Sequence, residues 1–394
     1  MKTNTSEREN QPSIIRSLFE YAKNRKMEIG EDKVFDFSIG NPNVPVPEEV
    51  NELLIKLIKE TDPIKLHGYT ANTGMPEVKK AVADYINKQY GAPTREDLIY
   101  ITCGASPAIV FVIHSILSKD NEAIIFAPYF PEYTHYIDYI GGHYKVVNPD
   151  KNFLPDLEDF KNKITDKTAL VIINSPNNPS GVFYPEEVIK DICHILKEKE
   201  KEYGHPIYLL SDEPYRELLY GEKKYPFVPC YYDDSLVTYS YSKTLSLAGE
   251  RLGYLYVSPK ANHADEVFTK AVHAGHCLGY VSTPSLFQLL LPLVVDKKID
   301  LTPYIQNRDL LYKSLTDIGF EIPYPDGAFY MLVKAPDGDA NRFMENAKKF
   351  EIIMVPCDEF GLNGYVRLAY CVNQKVIKNS IPAFKKLYEF YEGK

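Results

Sequence analysis

The segment Tyr239–Tyr254, YSYSKTLSLAGERLGY, gathers groups that chemistry can use. Lys243 follows a strand-like run, and Ser240 and Ser242 alternate with tyrosines just before it. Arg251 lies further on, between Gly249 and Gly253. An ordinary lysine at a strand end is a solvated surface charge. Here small residues, hydroxyls and a guanidinium together suit a phosphate group instead. Three more clusters stand out. Asn174–Gly181, NSPNNPSG, reads alone as a turn-rich loop. Ser211–Tyr215, SDEPY, puts Asp212 just past a buried strand, where a helix cap is the ordinary reading. Thr102–Ser106, TCGAS, marks a strand meeting a helix, and a helix N-terminus with Gly and Ser is a ready anion site.

The elements that must position these clusters alternate between helix and strand. Pro47–Glu60 and Pro76–Tyr90 have apolar residues at helical spacing, and Gly91 stops the second. Leu98–Thr102 reads as a buried strand and Ala105–Leu117 as the helix after it. Ala123–Ala127 is a strand, Pro131–Tyr139 a helix, and Val146–Val147 part of a short strand. Ala169–Asn174 is a buried strand and Pro185–Lys201 a surface helix. Ile207–Leu210, Leu236–Tyr241 and Tyr254–Val257 complete the strand set. Short apolar strands between helices predict a mostly parallel sheet, covered on both faces. Ligands bind such sheets beyond the carboxyl ends of the strands, where the polar clusters lie. The expected sheet domain spans residues 46–298.

After residue 298 the pattern changes. Tyr304–Ile318 reads as a helix, Phe329–Val333, Ile352–Val355 and Tyr365–Ala369 as strands, and Lys375–Tyr391 as a closing helix. This predicts a smaller α+β domain from residues 299–394, joined by residues 1–45, which show no core of their own.

Composition narrows the function. The chain has 394 residues, 44% of them hydrophobic and 25% charged, a globular balance that excludes a disordered chain. Its net charge of −9 argues against a nucleic-acid binder. The most apolar run, Leu286–Val295, contains Gln288 and Pro292 and is too short to span a bilayer. Met1–Asn10 is polar and lacks the apolar stretch of a signal peptide. Six scattered cysteines without a C-x-x-C pair read as reduced thiols, hence a cytoplasmic protein. No G-x-G-x-x-G, phosphate-binding G-x-x-x-x-G-K or G-x-S-x-G motif occurs. His273, His276 and Cys277 match no standard zinc spacing, so no metal is expected.

Taken in order, SIGNP at Ser38, HGYTANTGMPE around Tyr69, TCGAS, PYFPEY, NSPNNPSG, SDEPY, YSYSKTLSLAGERLGY and YVRLAY at Tyr365 resemble the fold-type I, class I/II aminotransferases that depend on pyridoxal 5′-phosphate. The likeness covers nearly the whole chain and implies a seven-stranded, mostly parallel sheet. It implies that Lys243 forms the internal aldimine with the cofactor and then shuttles the proton. Asp212 matches the carboxylate that pairs with the pyridine nitrogen and keeps the ring an electron sink. Tyr215 and Asn178 match the groups that bond the ring's phenolic oxygen. Ala105, Ser106, Ser240 and Arg251 match the phosphate site, with Ser242 a weaker candidate. Phe130 matches the aromatic that stacks on the ring. Tyr69 matches a residue reaching the neighbouring subunit's phosphate, which implies a homodimer. Arg367 matches the arginine that holds the substrate α-carboxylate, and Gly40 a backbone that approaches the substrate.

The implied reaction is ping-pong transfer of an amino group from an L-amino acid to a 2-oxo acid. Leu278–Gln288 matches the segment from which dicarboxylate-specific members bring a second arginine, and it has neither Arg nor Lys. This puts aspartate and glutamate in doubt as preferred donors. A β-lyase of the same fold, of the cystathionine β-lyase type, shares Lys243, Asp212 and Arg367 and is the alternative. A non-enzymatic cofactor-binding regulator would carry an added DNA-binding domain, and no helix-turn-helix precedes residue 40.

Overall fold

β-Branched and aromatic runs such as Ile99–Thr102 and Thr168–Asn174 have both faces apolar, so they can only lie between two layers. The computed structural model describes residues 14–393, and Met1–Asn10 lies outside them. The chain divides into two units. One takes the residues up to Asn43, with Thr302–Pro325 and Phe329 onward; the other takes Val44–Leu301 with Asp326–Ala328.

The first unit is a small α+β body. Its strand β1 (Phe35–Asp36) is the first among the described residues. The second unit holds β2 (Ile99–Thr102), β3 (Glu122–Phe126), β4 (His143–Val147), β5 (Thr168–Asn174), β6 (Tyr208–Asp212), β7 (Ser235–Ser240) and β8 (Gly253–Val257). They form one seven-stranded sheet in the order β2-β8-β7-β6-β5-β3-β4. The pairs β3/β4, β3/β5, β5/β6 and β6/β7 are parallel. Only β8 runs the other way, antiparallel to both β7 and β2.

Alternate residues of each strand feed opposite cores. On one face Tyr100, Ile125, Ile172, Leu210 and Leu255 pack with Ile109 and Phe111 of the helix Ala105–Ile116 and Ala271 of the helix Ala264–Cys277. On the other, Ile99, Ile101, Val237 and Tyr254 meet Val82 and Ile86 of the helix Pro76–Tyr90 and Leu290 and Leu291 of the helix Ser285–Val294. Further along that face Ile124, Val171 and Leu209 pack with Ile189, Ile192 and Leu196 of the helix Glu186–Tyr203.

The first unit continues with β9 (Tyr330–Lys334), β10 (Ile352–Ile353), β11 (Val355–Pro356) and β12 (Tyr365–Ala369). β1 pairs with β10 in parallel, while β11, β12 and β9 form an antiparallel sheet in that order. The sequence reading took Ile352–Val355 as one strand. It is two, because β10 bonds to β1 and β11 bonds to β12. Helices Ile14–Ile29, Thr302–Ile318, Ala340–Lys348 and Gln374–Glu392 complete the unit. Among the described residues no helix is long and apolar enough to cross a membrane.

Candidate active site

The register of the large sheet brings the polar clusters into two rows. Asn174, Asp212 and Thr238 are partners across β5, β6 and β7. Thr102, Gly253 and Ser240 are partners across β2, β8 and β7. Both rows lie at the carboxyl ends of the parallel strands.

Asp212 anchors the first row. It is buried, and its carboxylate accepts hydrogen bonds from the Tyr133 hydroxyl (2.6 Å) and the Thr238 hydroxyl (3.0 Å). Burial lifts its carboxyl to about 6 from the ordinary 3.8, against the pull of those two donors. Tyr133 in turn is pushed well up, first by its own burial and then by the Asp212 charge. A buried carboxylate of this kind gains from a cationic partner. The Asn174 side chain donates to the Asp212 backbone carbonyl (2.9 Å) and accepts from the Asn178 backbone N–H (2.8 Å). One asparagine thus ties the Asn178 loop to the end of β6. Tyr215, also buried, follows in the segment leaving that strand. Phe130 packs edge-on against Tyr133, with ring centroids 5.7 Å apart.

The second row builds an anion cradle. The helix Ala105–Ile116 begins at Gly104, whose φ of 88° lies in the region that favours glycine. The helix N-terminus carries orphan N–H groups and a positive partial charge, and Ala105 and Ser106 are its first residues. Arg251 reaches across to it: Nη2 donates to the Cys103 carbonyl (3.1 Å), and Nη1 to Ser242 Oγ (3.3 Å) and the Ala248 carbonyl (3.1 Å). Ser240 Oγ donates to Ser242 Oγ (2.8 Å) and accepts from the Ser242 N–H (3.2 Å), capping the turn Tyr241–Thr244. A β-carbon on Gly104 would stand 2.8 Å from Arg251 Nη2, so a side chain there would displace the guanidinium. A β-carbon on Gly253 would collide with the Tyr239 carbonyl and stand 2.8 Å from Gly104 Cα. Gly253 therefore lets the loop before the helix close onto the start of β8. Gly249, grouped with Gly253 in the sequence reading, faces open space.

Lys243 is half-buried in the turn that follows β7. Asp212, Tyr215, Asn178, Phe130, Ala105, Ser106, Ser240 and Arg251 all belong to this same unit. Tyr69, also in it, is 95% exposed. The sequence reading missed Tyr133 and Thr238. Tyr133 lies three residues after Phe130 in PYFPEY, and its hydroxyl holds Asp212.

Gly40 and Arg367 belong to the smaller unit and meet there around one ring. Arg367 is buried on β12, and its Nη2 donates to the Ser38 carbonyl (2.6 Å). Its guanidinium lies 4.6 Å from the centroid of Tyr330 and 5.2 Å from that of Phe360. The Tyr330 ring also fills the space a side chain on Gly40 would need. Among the described residues no cluster of His, Cys, Asp and Glu could hold a metal ion.

Residues 32–384 match the model of the family "Aminotransferase class I and II". The chain belongs to this family. It is a pyridoxal-phosphate-dependent transaminase of fold type I, acting on amino-acid and 2-oxo-acid substrates. A probable aspartate aminotransferase of Methanocaldococcus jannaschii is 30% identical over 386 residues, covering 96% of this chain and 97% of that one. The crystal structure of an aminotransferase from Eubacterium rectale is 43% identical, with a TM-score of 0.95, over 99% of this chain and 100% of the other. An aspartate aminotransferase structure from Thermotoga maritima is 26% identical, with a TM-score of 0.84, covering 97% of this chain and 99% of that one. These three relatives are named as aminotransferases, which disfavours the β-lyase alternative.

Proposed function

We propose that Lys243 carries the cofactor and moves the substrate proton, with Asp212 facing the pyridine nitrogen and the phosphate held at Ala105, Ser106, Ser240 and Arg251. The observation that carries this reading is the pairing of one buried carboxylate with one anion cradle at the same sheet edge. Pyridoxal phosphate presents a ring nitrogen that gains a proton and a phosphate dianion, and Asp212 and the Arg251 cradle complement them in charge. When bound, the cofactor supplies an electron sink for the carbanion left by Cα deprotonation.

The chain's own residues do the rest. Asp212, desolvated and held by Tyr133 and Thr238, keeps its negative charge fixed in place. Phe130 packs on the Tyr133 ring whose hydroxyl holds that carboxylate and would stack on the cofactor, and Tyr215 and Asn178, in the segments after β6 and β5, would bond its phenolic oxygen. The Lys243 amine, once freed, takes a proton from one carbon and delivers it to the next. Arg367, oriented by the Ser38 carbonyl and two ring faces, grips the substrate α-carboxylate, and Gly40 offers backbone beside it.

The same reading gives a cytoplasmic homodimer, with Tyr69 reaching the partner's phosphate. Six free cysteines support a reducing compartment. Ile55, Ile58, Ile64, Tyr69, Val281 and Leu293 are exposed, four of them on helices that pack on one another, and such apolar surface favours a covering subunit. Two of the relatives are named for aspartate. Leu278–Gln288 brings no cation for a second carboxylate, which weighs against aspartate and glutamate as the preferred donors.

The test is a single-turnover spectral screen: the cofactor-loaded protein is mixed with each amino acid in the absence of a keto acid. Stoichiometric conversion to the pyridoxamine form, reversed by a 2-oxo acid, supports the reading and names the donor. Steady release of pyruvate and ammonia overturns it in favour of a β-lyase.

A further inference from the structure

Beneath the Lys243 turn lies a buried ionic cluster that the reaction described above does not use. Arg216 and Glu217 follow Tyr215 in the segment leaving β6, and their side chains are only 1% and 4% exposed. Glu217 Oε2 accepts from the Tyr239 hydroxyl (2.6 Å) and the Thr244 hydroxyl (3.0 Å). Those two hydroxyls also touch each other at 2.7 Å. Glu217 Oε1 accepts from Arg216 Nε (3.2 Å) and the Tyr85 hydroxyl (3.4 Å). Tyr239 and Thr244 bracket the stretch Ser240–Lys243, and Thr244 is bonded directly to Lys243 in the chain. One carboxylate therefore clasps both ends of the lysine's turn.

Arg216 fixes that carboxylate. Nη1 donates to Glu213 Oε2 (2.8 Å) and Nη2 to the Tyr254 hydroxyl (2.9 Å). Its guanidinium lies 4.2 Å from the Tyr239 ring centroid, 5.1 Å from that of Tyr90 and 5.5 Å from that of Phe227. Burying such a cluster is no gain in stability over packed apolar side chains of the same volume, since desolvation offsets the attraction. What it does supply is direction, because each hydrogen bond admits one geometry. The clasp also starts from the segment that follows Asp212, so it ties the turn of Lys243 to the end of β6.

We propose that Glu217, held by Arg216, is a positioning residue for the transamination step, and that it acts on Lys243 through Thr244 and Tyr239. This rests on reading Lys243 as the point of cofactor attachment. A lysine that must reach two carbons in turn needs its backbone fixed to a few tenths of an ångström.

The experiment compares the holoenzyme with Thr244→Val, Thr244→Ser, Glu217→Gln and the Thr244→Val/Glu217→Gln double variant. The readouts are the single-turnover rate at saturating amino acid, the half-saturating concentration and the melting temperature. Thr244→Val is expected to slow the single turnover about tenfold, the cost of one hydrogen bond to a charged group, with the half-saturating concentration little changed. Thr244→Ser keeps the hydroxyl and is expected to restore most of the rate. The double variant is expected to be no slower than the slower single one. A Thr244→Val enzyme that turns over at the parental rate while melting earlier would overturn the proposal and leave a structural role. Should Glu217→Gln fail to fold, the Val and Ser pair at Thr244 decides alone. Borohydride trapping followed by peptide mapping separates the two claims. A label on a residue other than Lys243 overturns the attachment reading, whereas a label on Lys243 with unchanged Thr244→Val kinetics overturns the clasp only.

Discussion

The Tyr133 hydroxyl donates to Asp212 Oδ2 at 2.6 Å, inside a fully buried pair. Tyr133 comes from the helix Glu132–Tyr139 and Asp212 from the end of β6, so the contact joins two elements far apart in the chain. Tyr133→Phe removes one of two side-chain donors to this carboxylate and keeps the ring that packs on Phe130. The expected result is a single turnover slowed about tenfold, with a melting temperature a few degrees lower. Stopped-flow absorbance checks the rate, and a parental rate would remove Tyr133 from the site.

The raised Asp212 carboxyl sets a pH dependence. The folded, cofactor-free protein holds this proton more tightly than the unfolded chain does, because burial lifts the group from 3.8 to about 6. The resulting stabilisation is complete below pH 3.8 and is lost as pH rises through 6. Such a shift corresponds to about 3 kcal/mol. Urea unfolding of the cofactor-free protein at pH 4.5 and pH 7.5 should show this decline, and Asp212→Asn should flatten it. An equal pH slope in parent and variant would mean that Asp212 is not the group responsible.

Lys243→Ala should abolish the absorption band of the covalently held cofactor while leaving noncovalent binding through the Arg251 cradle. Equilibrium dialysis and a visible spectrum test both halves. A retained covalent band would place the attachment at another residue.

Gly253→Ala should destabilise the large unit by about 1–3 kcal/mol, since its new methyl group has only backbone to push against. The same change in Gly249, which faces open space, should cost little. A pair of urea titrations distinguishes them, and equal midpoints would contradict the packing described.

Arg367→Lys should weaken amino-acid binding about as much as Arg367→Ala, because an ammonium cannot reproduce a planar fork held between Tyr330 and Phe360. The check is the half-saturating amino-acid concentration. Full rescue by lysine would show that charge alone suffices.

What the sequence made legible follows a physical division. Lys243, Asp212 and Arg251 stood out because each is a charged group next to an apolar strand, and such placements need a reason. Tyr133 gave no such signal. An aromatic one turn into a helix is ordinary core, and only the fold reveals that its hydroxyl meets a carboxylate. Arg216 and Glu217 were silent for the opposite reason: adjacent charges of opposite sign after a strand read as solvated surface. The helix Ala264–Cys277 went unread because its buried face is mostly small, with Ala264, Ala271, Ala274 and Gly275 giving little hydrophobic contrast. The split between β10 and β11 was equally hidden, since local apolarity does not say which partner a strand bonds.

The reversed direction of β8 has a consequence for assembly. A parallel successor to β7 would have needed a crossover that carries the chain back to the opposite end of the sheet, away from the carboxyl ends of the strands. Because β8 starts at the end of the sheet where β7 finishes, one twelve-residue connection carries both Lys243 and Arg251. The two groups proposed to hold neighbouring substituents of one cofactor are therefore close in the unfolded chain, and little loop-closure entropy is lost in bringing them together. The contact of Arg251 with Ser242 is local, whereas its contact with the Cys103 carbonyl, like that of Asp212 with Tyr133, joins distant segments. Folding should accordingly form the loop of Lys243 and Arg251 early, and complete the phosphate cradle and the Asp212 pair only when the distant segments meet.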